Sequence, residues 1–175
     1  MFSEEESPGM RIPASHFYRR NLPHIVNWTR PLFVTFSTMN RAILPPGART
    51  LTLRHVLFEH GRKISLHVAV VMPDHVHLIF WILAAFELAE VMKGIKGVSA
   101  WSINRLLARK DHHVWQDESM DHVVRCSEWG RGKVDYVCNN PVRAGLAASP
   151  DDYPWLWRSW VEGGGAQTGV SVPHL

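Results

Sequence analysis

Long apolar runs are the first thing this chain lacks. No stretch reaches the roughly 18 to 20 uncharged apolar residues that a membrane-spanning helix needs; the segment from Val76 to Phe86 is too short and contains a histidine. The amino terminus, MFSEEESPGM, has no apolar core of the kind a secretory leader carries, which points to the cytoplasm. Cysteine is nearly absent: Cys126 and Cys138 stand twelve positions apart, a spacing that matches no zinc or redox motif. Two free thiols in a reducing compartment are the reading. There are no internal repeats, and no composition break divides the chain in two.

Acidic residues are missing from one place in particular. From Val91 to Lys110 there are five bases (Lys93, Lys96, Arg105, Arg109, Lys110) and no acid. Setting aside Glu4, Glu5 and Glu6 leaves 19 bases against 13 acids in the remainder. Such an excess suits an anionic partner without identifying one.

What is present is a globular composition. The 175 residues are 46% hydrophobic and 20% charged, enough for one domain with a real core. Residues 1–15, with Pro8, Gly9 and Pro13, read as a flexible lead-in, residues 16–160 as the domain, and the Gly-rich residues 161–175 as a mobile tail. PLFVTFST (31–38) predicts a strand and ARTLTLRHVLFEHG (48–61) a helix closed by Gly61. KISLHVAVVM (63–72) and HVHLIFWIL (75–83) predict a hairpin turned by Pro73 and Asp74. Residues 85–110 predict a helix interrupted near Gly94 and Gly97, and a last helix is expected from Lys133 to Asn140, stopped by Pro141. The order implies an α+β domain, a largely antiparallel sheet covered by helices on one face.

Two places carry chemistry. In MPDHVHLIF, strand alternation points His75 and His77 to one face and Val76, Leu78 and Phe80 to the other. Two imidazoles so placed can converge on one ion, and equally can form a hydrogen-bonded polar face. In KVDYVCNNPVRAGL, Tyr136 and Asn140 are four apart and share a helical face. A phenol and a carboxamide side by side can be functional; a half-buried anchor and a helix cap are the plain alternative.

Together the two motifs, with YRRNLPH before them and DYPW after, resemble the REP-associated tyrosine transposases. These are single-domain HUH (histidine, hydrophobic, histidine) endonucleases related to single-strand insertion-sequence transposases. The resemblance runs from about Phe17 to Trp157 and includes FVTF, the basic-helix KG and INRLL, and VWQDE followed by DHVVR. It implies the ferredoxin-like HUH fold, with His75, His77 and Asn140 as ligands of a divalent metal, Mg²⁺ or Mn²⁺, and Tyr136 as the nucleophile. It implies cleavage and rejoining of single-stranded DNA at palindromic, REP-type hairpins through a 5′-phosphotyrosine. The implied state is a monomer, with a homodimer as the alternative set by the insertion-sequence relatives.

For holding DNA, Arg19 and Arg20 stand beside Phe17 and Tyr18, a basic and aromatic pairing suited to single strands. Lys93, Lys96 and Arg105 on the acid-free helix and Arg143 after the last one complete the candidate contacts, against the alternative of a solvated helix face. Two departures from the family pattern stand out: Cys138 between nucleophile and ligand, and GRG at 130–132 directly before the helix. A DNA-binding module without catalysis, and a metal phosphodiesterase whose nucleophile is water, are the competing readings.

Overall fold

A computed structural model of the chain describes residues 30–83, 86–123 and 131–159. The first strand, β1 (Leu32–Thr38), leads through a single 3₁₀ turn at Met39–Arg41 into helix α1 (Pro46–Glu59). Pro46 opens α1 at little cost, because a first-turn residue has no intrahelical acceptor for its N–H and proline's φ is already helical. Gly61 follows the helix at φ 76°, a left-handed conformation that glycine adopts without strain, and turns the chain into β2 (Ile64–Val71). The predicted hairpin forms: β3 (His75–Ile82) returns antiparallel to β2 across Pro73 and Asp74.

Helix α2 (Leu88–Leu106) differs from expectation, since it runs unbroken through Gly94 and Gly97. Each glycine costs about 1 kcal/mol against alanine. Burial of Val91, Met92, Ile95 and Ile103 on one side of the helix outweighs that cost. Strand β4 is Trp115–Val123, and α3 is Arg131–Cys138. Pro141 does not end the helical region, as had been expected. It sits in the first turn of a short α4 (Asn140–Arg143), and Asn139 at φ −83°, ψ 0° makes the joint. The same tolerance of first-turn proline seen in α1 explains why the chain resumes its coil there. The aromatic segment that follows packs back on the domain: Trp155 and Trp157 lie against the core, and β5 (Leu156–Arg158) pairs with β2.

The five strands are ordered β4-β1-β3-β2-β5, and every pairing is antiparallel. The fold is therefore α+β, as predicted. The sheet separates two apolar clusters. On one face α1 and α2 cover Val34, Phe36, Leu66, Val71, Val76, Leu78 and Phe80. On the other, Val137 and Cys138 of α3 and Tyr153 pack with Val68, Val70, Met72 and Ile79. The two long helices thus share one face as expected, while the shorter α3 lies on the opposite one. Among the described residues no helix is long and apolar enough to cross a membrane.

Candidate active site

His75 and His77 project from the α3 side of β3, alternating with the fully buried Val76 and Leu78 on the α1/α2 side. Their rings meet edge to face with centroids 4.7 Å apart. Each ring is tied back through Nδ1. His75 Nδ1 donates to Asp74 Oδ1 at 2.6 Å, and His77 Nδ1 lies 2.8 Å from the hydroxyl of Thr35, its direct partner on β1. Asp74 in turn pairs through Oδ2 with Arg41 at 3.2 Å. Arg41 reaches that position from a left-handed backbone, as does Asn40, with φ 56° and 52°. With both Nδ1 atoms engaged, Nε2 is the nitrogen left on each ring, and no hydrogen bond to a described residue occupies it.

His77 is only 9% exposed. Burial, then the neighbouring charges of His75, Lys133 and Arg41, push its pKa down to about 3, with Asp74 opposing. It is therefore neutral at physiological pH, the state in which imidazole donates a lone pair.

Helix α3 brings the second motif over the same face. Phe33 stacks on His77 at 5.6 Å, and Lys133 Nζ stands 4.3 Å over the Phe33 ring. The same ammonium lies 5.6 Å from the ring of Tyr136, and Arg143 Cζ lies 5.0 Å from that ring. A continuous run of contacts thus joins His77, Phe33, Lys133, Tyr136 and Arg143. Tyr136 is 44% exposed while Val137 and Cys138, next along the helix, are buried, so the phenol faces outward. Asn140 bonds back through Nδ2 to the carbonyl of Tyr136 at 3.4 Å, which leaves its Oδ1 as the unused acceptor.

The donor chemistry fits a divalent cation. Two imidazole nitrogens, each oriented by a hydrogen bond on the ring's other nitrogen, are the usual form of a histidine metal pair. Among the described residues no group of three His, Cys, Asp or Glu is assembled. Among the described residues a third protein donor would have to be of another kind, and the Asn140 amide oxygen is of that kind.

The other predicted contacts are dispersed. Arg19 and Arg20 fall outside the described residues. Lys93, Lys96 and Arg105 all belong to α2, on the face of the sheet away from His75 and His77. Lys93 and Arg105 are exposed, and Arg105 leans on the exposed Trp101. Lys96 is engaged instead with the carbonyls of Gln116 and Asp117 on β4, at 2.6 and 3.1 Å. Of the candidate DNA contacts among the described residues, Arg143 alone joins Tyr136. Sequence reasoning passed over Thr35, Phe33, Arg41 and Lys133. Only Lys133, three residues before Tyr136 and so on its helical face, carried a local signal.

The chain is similar to known proteins. The family described as "Transposase IS200 like" matches residues 50–135, a span that includes both histidines and stops one residue before Tyr136. A REP-associated tyrosine transposase of Escherichia coli strain K12 is 26% identical over 132 residues, covering 70% of this chain and 73% of its own. Over residues 50–135 the chain is similar to the IS200-like transposases. A solved structure of a REP-associated tyrosine transposase bound to a REP hairpin shares the fold of this chain, with a TM-score of 0.62 and 24% identity over 81% of this chain and 82% of the other. A putative transposase from Deinococcus radiodurans R1 has a TM-score of 0.46 and 20% identity, covering 74% of this chain and 97% of its own.

Proposed function

We propose that this protein is a transposase of the IS200-like kind, a metal-dependent, tyrosine-based transesterase acting in the cytoplasm on single-stranded DNA at palindromic, REP-type hairpins. The observation that carries the reading is the pair of histidines, both tied back through Nδ1, on the face where α3 presents an exposed phenol between two cations. His75 and His77, through Nε2, and Asn140, through Oδ1, would hold the ion, Mg²⁺ or Mn²⁺. When bound it would draw charge from the scissile phosphate and help orient its oxygens. The hairpin as substrate is supported by the curated relative and by the likeness to a structure bound to a REP hairpin.

The protein groups have the following parts. The Tyr136 oxygen attacks phosphorus, forming a Tyr–O–P bond while the P–O3′ bond breaks. The phenolic proton passes to solvent, and the departing 3′ oxygen takes up a proton and leaves as a 3′-hydroxyl. The DNA remains attached through its 5′ phosphate, so a 3′-hydroxyl can reverse the reaction and reseal the strand without an external energy source. Arg143, beside the phenol, pairs with phosphate. Asp74 and Thr35 hold the imidazoles in the tautomer that leaves Nε2 to the ion.

The test is cleavage of labelled hairpin oligonucleotides with Mg²⁺ or Mn²⁺, comparing the intact protein with Tyr136→Phe. A covalent protein–DNA adduct that requires metal and disappears in the variant is the expected result. Equal cutting by Tyr136→Phe would make water the nucleophile and the protein a phosphodiesterase. Binding without cutting by either protein would identify a DNA-binding module.

A further inference from the structure

Lys133 has no place in the chemistry described so far, yet it occupies the middle of the site. Its ammonium sits 4.3 Å over Phe33 and 5.6 Å from Tyr136. No carboxylate among the described residues pairs with it. Its position in the chain adds to the imbalance: Lys133 is the third residue of α3, where the helix dipole places positive charge, and no acidic residue stands in that first turn. A lysine there works against the helix. Arg143 on the other side of the phenol and a cation on His75 and His77 would concentrate positive charge further. An anion lodged among these groups would relieve that repulsion.

We infer that Lys133 is a phosphate-positioning residue. Its Nζ, held at one edge by the Phe33 ring, takes a non-bridging oxygen of the scissile phosphodiester and sets the phosphorus before the Tyr136 oxygen. Phe33 is the fixed platform, because it also stacks on His77 and so ties the position of the ammonium to that of the imidazole pair. Lys133 and Tyr136 stand three residues apart on α3, so the charge and the phenol are presented from one helical turn. This assignment rests on the functional reading above.

The experiment measures single-turnover formation of the protein–DNA adduct by the intact chain, Lys133→Met and Lys133→Arg. Two substrates are compared, one with a normal phosphodiester at the cut site and one with a neutral methylphosphonate there. Mn²⁺ binding is followed by calorimetry without DNA. On the normal substrate Lys133→Met should slow adduct formation by about 100-fold, the usual cost of one preorganised donor to a reacting phosphate or oxyanion. Lys133→Arg should recover most of it. On the methylphosphonate the difference between wild type and Lys133→Met should largely vanish, because the charge that Lys133 engages is gone. Mn²⁺ should bind Lys133→Met no more weakly than wild type.

Three results would overturn the assignment. Wild-type rates in Lys133→Met on the normal substrate would remove any role. An equal loss on both substrates, accompanied by weaker Mn²⁺ binding, would make Lys133 a structural prop of Phe33 and nothing more. Failure of the wild type itself to form a Tyr136 adduct would overturn the functional reading and this assignment with it, whereas an adduct in wild type with no Lys133 effect overturns this assignment alone.

Discussion

The hydroxyl of Thr35 and the imidazole of His77 face each other across β1 and β3, 2.8 Å apart and in direct register. For Nε2 of His77 to bind an ion, the ring must carry its proton on Nδ1, and Thr35 Oγ1 is the acceptor that favours that tautomer. Thr35→Val keeps the shape and β propensity of the side chain but leaves Nδ1 buried without a partner. We expect Mn²⁺ affinity to fall by about 10-fold or more, and Thr35→Ser to restore it, both read by calorimetry.

Asp74 does the corresponding work for His75 and also receives Arg41. Asp74→Ala should weaken metal binding to a similar degree, while Arg41→Met should do less, since Arg41 reaches the imidazole only through the carboxylate. Comparison of the two variants in one titration series checks the order. A larger effect from Arg41 would mean that the guanidinium acts on the site directly.

His77 makes stability depend on pH. Its folded-state pKa lies near 3, below the unfolded value of about 6.5, so the unfolded chain takes up a proton first as pH falls. The native state should therefore lose stability from about pH 6.5 downward, by up to ~2 kcal/mol at pH 5 from this group alone. His55 and His67, also lowered by burial, add to the slope. Urea unfolding at pH 7, 6 and 5 should give a shallower pH dependence for His77→Gln than for the wild type.

The lysines of α2 should separate by role. Lys96 joins the helix to the carbonyls of Gln116 and Asp117, so Lys96→Met should lower stability by about 1–3 kcal/mol. Lys93 and Arg105 are exposed, and their removal should leave stability within about 0.5 kcal/mol. If they contact DNA, each removal should also reduce the salt slope of binding by roughly one. Thermal melts and salt-dependent binding on the same variants distinguish the two outcomes.

Much of the fold could be read from residue order. Period-two alternation put His75 and His77 on one face and Val76 and Leu78 on the other, and Pro73-Asp74 marked the hairpin. Both are consequences of backbone geometry, which acts over neighbouring residues. The helix boundaries were less legible. Gly94 and Gly97 have a poor intrinsic helix propensity, but the burial of Ile95 and its neighbours decides against a break, and burial depends on what packs opposite. Pro141 was read as a stop, whereas its place in a new first turn depends on the turn at Asn139.

The site divides in the same way. Residue order by itself determined that two imidazoles share a strand face and that a phenol and an amide share a helical one, because both follow from the periods of strand and helix. Only the tertiary structure decided that α3 lies on the histidine face while α2 and its lysines lie on the other. It also decided that Thr35, Asp74 and Arg41 hold the imidazoles and that Lys133 stands between Phe33 and Tyr136. Asp74 adjoins His75, but the links from Arg41 to Asp74, from Thr35 to His77 and from Phe33 to Lys133 join residues far apart in the chain, and they are set by which apolar faces bury against which, a global competition that no local pattern encodes.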